Sequence, residues 1–109
     1  VIFQWNDHNR RHIAKHGVTE SEAEEVIDAA KPPYPRTMED EKHLVWGQTG
    51  SGRFLQVIYI YLPDEDVDYF SLSTVDRLEF ADDKADVVLV IHAMELTSDQ
   101  KRLYRRLSR

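Results

Sequence analysis

The stretch RFLQVIYIYL, residues 53–62, is apolar on both faces of an extended chain. Such a strand has no side to turn to water, so it belongs inside a sheet, with a neighbour at each edge. It follows HLVWGQ (43–48), which is also rich in β-branched and aromatic residues, and the link TGSG (49–52) is turn chemistry. The pair predicts a hairpin. A two- or four-residue loop centred on Gly50 and Ser51 sets Gln48 opposite Arg53 and Trp46 opposite Leu55. Arg53 then shares a sheet face with Trp46, Leu55, Val57 and Tyr59. VVLVIHA (87–93) predicts a further buried strand, in which His92 alternates with Val88, Val90 and Met94.

Helices are predicted on either side of these strands. Residues 7–16 read as a short helix, with Asn6 or Asp7 as its cap and Gly17 as its stop. Thr19 caps a second helix, with Glu22 at the capping-box position and Val18 and Ala23 placed to form a staple. Ala23, Val26, Ile27 and Ala30 form its buried stripe, and Glu20, Glu24, Glu25 and Asp28 are expected in solvent. KPPYPR (31–36) ends it, because three prolines cannot continue a helix. Thr97 caps a last helix with Gln100 as its box partner. Leu103, Tyr104 and Leu107 are its apolar stripe, and Lys101, Arg102, Arg105, Arg106 and Arg109 lie opposite. The expected fold is α+β: a small antiparallel sheet with two N-terminal helices and one C-terminal helix packed on it.

The length of 109 residues suits one domain, 1–109. There is no cysteine, which excludes a disulfide framework and a thiolate metal cage and suits a reducing cytoplasm. No apolar run approaches the ~20 residues of a membrane span, and no signal peptide is visible. The net charge of −6 argues at first against a nucleic-acid partner. Its distribution alters that argument. Residues 63–86 hold nine acids against two bases, a local −7, so the other 85 residues carry +1. The acidity belongs to an insert whose structure the sequence leaves open between edge strand, short helix and packed loop. A polyanion can still approach another face.

HNRRHIAKHG (8–17) is the segment richest in possible chemistry. A four-residue step on a helix advances about 40°, so His8, His12 and His16 form one line between a basic side (Arg11, Lys15) and an apolar side (Ile13). Two histidines at i and i+4 can share a zinc ion. The glutamate of HExxH is missing, however, and no third-ligand motif follows, so a small metalloprotein built on the stripe is the weakest of three readings and no metal or cofactor is assigned. The other two are border histidines with ordinary partial burial, or a groove for a polyanion in which histidine also moves protons. Arg53 is either a strand end with a cross-strand partner or a phosphate contact on a rigid element. His92 is either a hydrogen-bonded core residue or an acid–base group at a cleft. Tyr34, Tyr59 and Tyr61 can stack on bases, although core packing is expected of the two in the strand. There is no P-loop, GxSxG or dinucleotide fingerprint.

WNDHNRRHIAKHGVTESEAEEVI, VWGQTGSGRFLQVIYIY and VLVIHAMELTSDQKRLYRR together resemble the BrnT family of toxins from type II toxin–antitoxin systems. The likeness covers most of residues 3–62 and 87–106. It implies a fold similar to RelE-type ribonucleases, metal-independent RNA cleavage and neutralisation by a small DNA-binding antitoxin. The residues that match are Trp5, Asn9, His12, Lys15, His16, Gly47, Gly52, Arg53 and Tyr104. The chain departs from the family pattern at Leu89 and Met94, where arginine is common, and in its longer 63–86 insert. On this reading His12 or His92 transfers protons, Lys15, His16 and Arg53 supply charge, and Arg11, Arg102, Arg105 and Arg106 hold RNA. The alternative is a non-catalytic protein- or nucleic-acid-binding module of the same fold.

Overall fold

The structure, a computed structural model, describes residues 1–82 and 85–108. Arg109, expected opposite the apolar stripe of the last helix, and Asp83 and Lys84 of the acidic segment lie outside the described residues. The elements run β1 (Ile2–Gln4), α1 (Asp7–Ala14), α2 (Glu20–Asp28), β2 (Arg36–Thr37), β3 (His43–Gln48), β4 (Phe54–Tyr61), α3 (Thr74–Ala81), β5 (Val87–Glu95) and α4 (Ser98–Leu107). The five strands form one sheet in the order β1-β5-β4-β3-β2. β4 lies at its centre, as its two apolar faces require. The sheet is mixed rather than antiparallel, because β1 runs parallel to β5, with Phe3 opposite Val88. No helix among the described residues is long and apolar enough to cross a membrane.

The hairpin register differs by one residue from the expected one. Gln48 pairs with Phe54, Gly47 with Leu55 and Trp46 with Gln56. The cause is the loop. Thr49 N–H donates to Arg53 O at 2.8 Å, Gly52 N–H donates to Thr49 O at 2.9 Å, and Gly52 takes φ +93°. That is a three-residue loop ending in a left-handed residue, the next commonest solution after a two-residue turn. Trp46 therefore leaves the Leu55 face, and its indole N–H donates to Gln56 Oε1 at 3.0 Å on the other. On the Leu55 face α2 comes so close that a Cβ at Gly47 would lie 3.0 Å from Val26 Cγ1.

The main core lies between that face and helices α1 and α2. Ile13, Val18, Ala23, Val26, Val45, Leu55, Val57, Tyr59, Val88, Val90 and Ala93 are all buried there. β5 carries one extra residue against the Ile58–Tyr59 step of β4: Ile58 faces His92 but Tyr59 faces Val90. This bulge breaks the expected alternation. On the main-core side the buried positions are Val88, Val90 and then Ala93, while His92 and Met94 are only half-buried.

The 63–86 insert is no bare acidic loop. It contains α3, a fourth helix, capped by Ser73 Oγ, which accepts from Asp76 N–H at 3.1 Å. Leu72 joins Ile2 and Val87 in a second small core, flanked by Leu62, Val67, Phe80 and Ala85. Asp68 N–H donates to Gln4 Oε1 at 2.8 Å, tying the insert to β1.

The C-terminal helix also differs from expectation. Tyr104 packs against the Phe54 and Tyr34 rings, and the cations of Lys101 and Arg105 sit over Phe54 at 5.9 and 5.0 Å. Leu103 and Leu107 stay on the exposed side. The contact face is thus Lys101, Tyr104 and Arg105, one helical stripe that brings an aromatic ring and two cations to Phe54.

Candidate functional site: three imidazoles

Helix α1 is fixed at both ends by its own sequence. Asn9 N–H donates to Asn6 Oδ1 at 2.9 Å, and Asn6 N–H donates back to Asn9 Oδ1 at 2.6 Å. Asn9 is buried, and its Nδ2 reaches Gln4 O at 3.3 Å, which locks the helix start to β1. At the other end Gly17, at φ +70°, donates to Ala14 O at 3.0 Å, and Val18 N–H donates to Ile13 O at 3.3 Å. These paired bonds are a Schellman ending, with Ile13 and Val18 buried beneath it. The helix lies against β5.

That placement brings His12 and His16 to His92. The ring centroids lie 6.1 Å apart for His12–His16, 6.1 Å for His12–His92 and 5.5 Å for His16–His92. One nitrogen from each ring falls within 4.8 Å of the other two. His12 and His92 are half-buried and His16 is exposed. None of the three rings makes a hydrogen bond to a described residue. Burial foremost, and then the neighbouring His16 and His12, hold the His92 imidazolium below its ordinary range. The lowered value favours the neutral imidazole of His92, the form that accepts a proton.

Alongside, His8, Arg11, His12 and Lys15 line one surface hollow. His8 stacks on His12 with centroids 6.4 Å apart. Arg11 Nε donates to Asp7 O at 3.1 Å, which holds its guanidinium over α1. Of the sequence-predicted residues, the fold thus gathers Arg11, His12, Lys15, His16 and His92. His8 stood in the histidine stripe without an assigned role, and the same four-residue spacing that marks His12 and His16 also reveals it.

Arg53 is held differently. Its Nη1 donates to both Glu22 oxygens, at 2.8 and 2.7 Å, and to Gly17 O at 3.0 Å. Its other nitrogens reach Glu95 Oε1 at 3.2 and 3.1 Å. Two carboxylates therefore neutralise it, and it links the loop end of β4 to α2, β5 and the α1 stop. Burial raises the Glu22 carboxyl, but the Thr19 backbone N–H and Arg53 outweigh that and lower it overall. The acidic face of α2 is likewise engaged rather than merely solvated: Glu25 Oε1 accepts from Gly50 N–H at 2.6 Å, and Glu20 pairs with Arg10.

The remaining candidates lie on α4. Arg102 pairs with Asp99, Arg105 covers Phe54, and Arg106 is exposed. Tyr34 and Tyr59 are buried, so neither ring is open to a base, whereas Tyr61 is 44% exposed. No family model, curated protein or solved structure matches the chain.

Proposed function

We propose that the protein cleaves RNA in the manner of a toxin endoribonuclease, without needing a metal. The observation that supports this reading is the convergence of His12, His16 and His92 beside the cations Arg11 and Lys15. Attack by a ribose 2′-hydroxyl on the adjacent phosphorus needs a base, an acid and positive charge on the phosphate. His92 takes the 2′-hydroxyl proton. The new O2′–P bond forms as the P–O5′ bond breaks, and His12 protonates the departing 5′ oxygen. Lys15 and His16 face the phosphate, and Arg11 holds the neighbouring one. The products are a 2′,3′-cyclic phosphate end and a 5′-hydroxyl end. Arg53, neutralised by Glu22 and Glu95, holds the scaffold rather than the phosphate. The BrnT-like blocks support a small DNA-binding antitoxin as partner and the cytoplasm as the place of action.

Untagged protein incubated with structured RNA in chelator tests this. Cleavage leaving 2′,3′-cyclic phosphate ends is expected, and no cutting of several RNAs would overturn it. A second reading, a non-catalytic binding module, is favoured by the neutralised Arg53 and by Leu103 and Leu107, which stand half-exposed beside Arg102 and Arg106. A tightly co-purifying protein partner together with absent cleavage would select it.

A further inference from the structure

We infer that His12, His16 and His92 form a binding site for a divalent transition-metal ion of the zinc type. Sequence alone ranked a metal last for want of a third ligand, and the fold supplies it from β5. Three imidazole nitrogens at zinc-ligand distance from one ion lie about 3.3 Å from one another. The three here already lie within 4.8 Å. The remaining gap of about 1.5 Å at most is within the reach of side-chain rotation, and His16 is exposed. Hydrogen-bonded backbone carries all three: His12 lies in the last turn of α1, His16 in the turn that ends it, and His92 on an interior strand.

The donor set identifies the class of ion. Three neutral imidazoles with no carboxylate among them suit zinc, nickel or copper, and do not suit magnesium or calcium, which take oxygen ligands. Arg11 and Lys15 nearby add repulsion for a cation, so the binding free energy must come from the ligand bonds. Three protein ligands leave a fourth tetrahedral position open to water or to an anion, and the flanking cations favour an anion there. Binding itself does not depend on the ribonuclease reading. One consequence does rest on that reading: coordination takes the imidazole lone pairs that proton transfer uses, so the loaded protein is inhibited.

The test is equilibrium dialysis of untagged protein against zinc chloride, with cobalt(II) absorption as a second measurement. Wild type is expected to hold one zinc per chain and to give the intense visible bands of four-coordinate cobalt. His16→Ala and His92→Gln should each weaken binding at least about tenfold, since even outer-shell changes reach that size. His43→Ala, which alters a histidine stacked on Tyr59, should bind as wild type does. His16 is exposed, so its variant keeps the fold even if the His92 variant does not. Wild type that binds no zinc, or a His16→Ala protein that binds it equally well, overturns the inference. RNA cleavage is measured separately in chelator, so failure of either idea leaves the other standing.

Discussion

Replacing Arg53 by methionine and Glu22 by glutamine, singly and together, isolates the contact at the junction of loop, helix and strand. Opposite unit charges about 4 Å apart attract by about 4 kcal/mol at the effective dielectric of a protein surface. Solvent reduces this, because the two side chains are 30% and 19% exposed. Fully exposed pairs contribute about 0–1 kcal/mol, and breaking buried ones costs about 3–5 kcal/mol. Both Glu22 oxygens accept from Arg53, so a coupling of about 1–2 kcal/mol is expected, between those two limits. The Glu95 arm, whose carboxylate side chain is 59% exposed, adds little. Urea unfolding of the four proteins at pH 7 gives the coupling directly. The sign with pH follows from the lowered Glu22 carboxyl. Its stabilisation is present above the ordinary value of 4.5 and is lost as pH falls through the lower folded value. The coupling should therefore vanish in acid. A coupling indistinguishable from zero at pH 7, within about 0.3–0.5 kcal/mol, refutes the structural role. If Arg53→Met then also loses RNA cleavage at unchanged stability, Arg53 meets the phosphate after all.

Two further substitutions probe how the site is held. Gly47→Ala places a methyl 3.0 Å from Val26 Cγ1, so the unfolding midpoint should fall by an amount equivalent to about 1–3 kcal/mol; an unchanged midpoint means that α2 can lift off β3 freely. Asn9→Ala removes half of the α1 capping box and the bond to Gln4 O, which should cost about 1–2 kcal/mol in urea unfolding. It should also slow cleavage, because α1 carries His12 and His16; full activity at reduced stability would show that the helix start does not position them.

The parts of the fold that sequence made legible are local. Thr19 with Glu22 and Thr97 with Gln100 each form the expected capping box, because the bonds span three residues and need no tertiary partner. The interior position of β4 was legible for a similar reason, since two apolar faces admit one place in a sheet. The hairpin register was not, because it depends on whether Gly52 takes a left-handed φ, and TGSG permits more than one loop length. β1 is too short to carry a pattern, and its parallel pairing with β5 joins the two ends of the chain. Of the α4 stripe only Tyr104 was legible, because leucine outranks lysine and arginine on any hydropathy scale, yet the cations of Lys101 and Arg105 took the Phe54 ring. The site was half visible. Helical spacing put His12, Lys15 and Arg11 together, whereas His92 joins them only through the packing of α1 on a strand whose alternation is broken by a bulge.

The central claim is that the imidazole cluster performs proton transfer on RNA. Its most direct test is the single-turnover cleavage rate in chelator of wild type beside His12→Ala and His92→Ala, each checked for folding by its urea midpoint. Loss of a general acid or base predicts a fall of about a hundredfold or more for each. Folded variants that both cut RNA within about twofold of wild type, far inside the range of general acid–base effects, would contradict the claim.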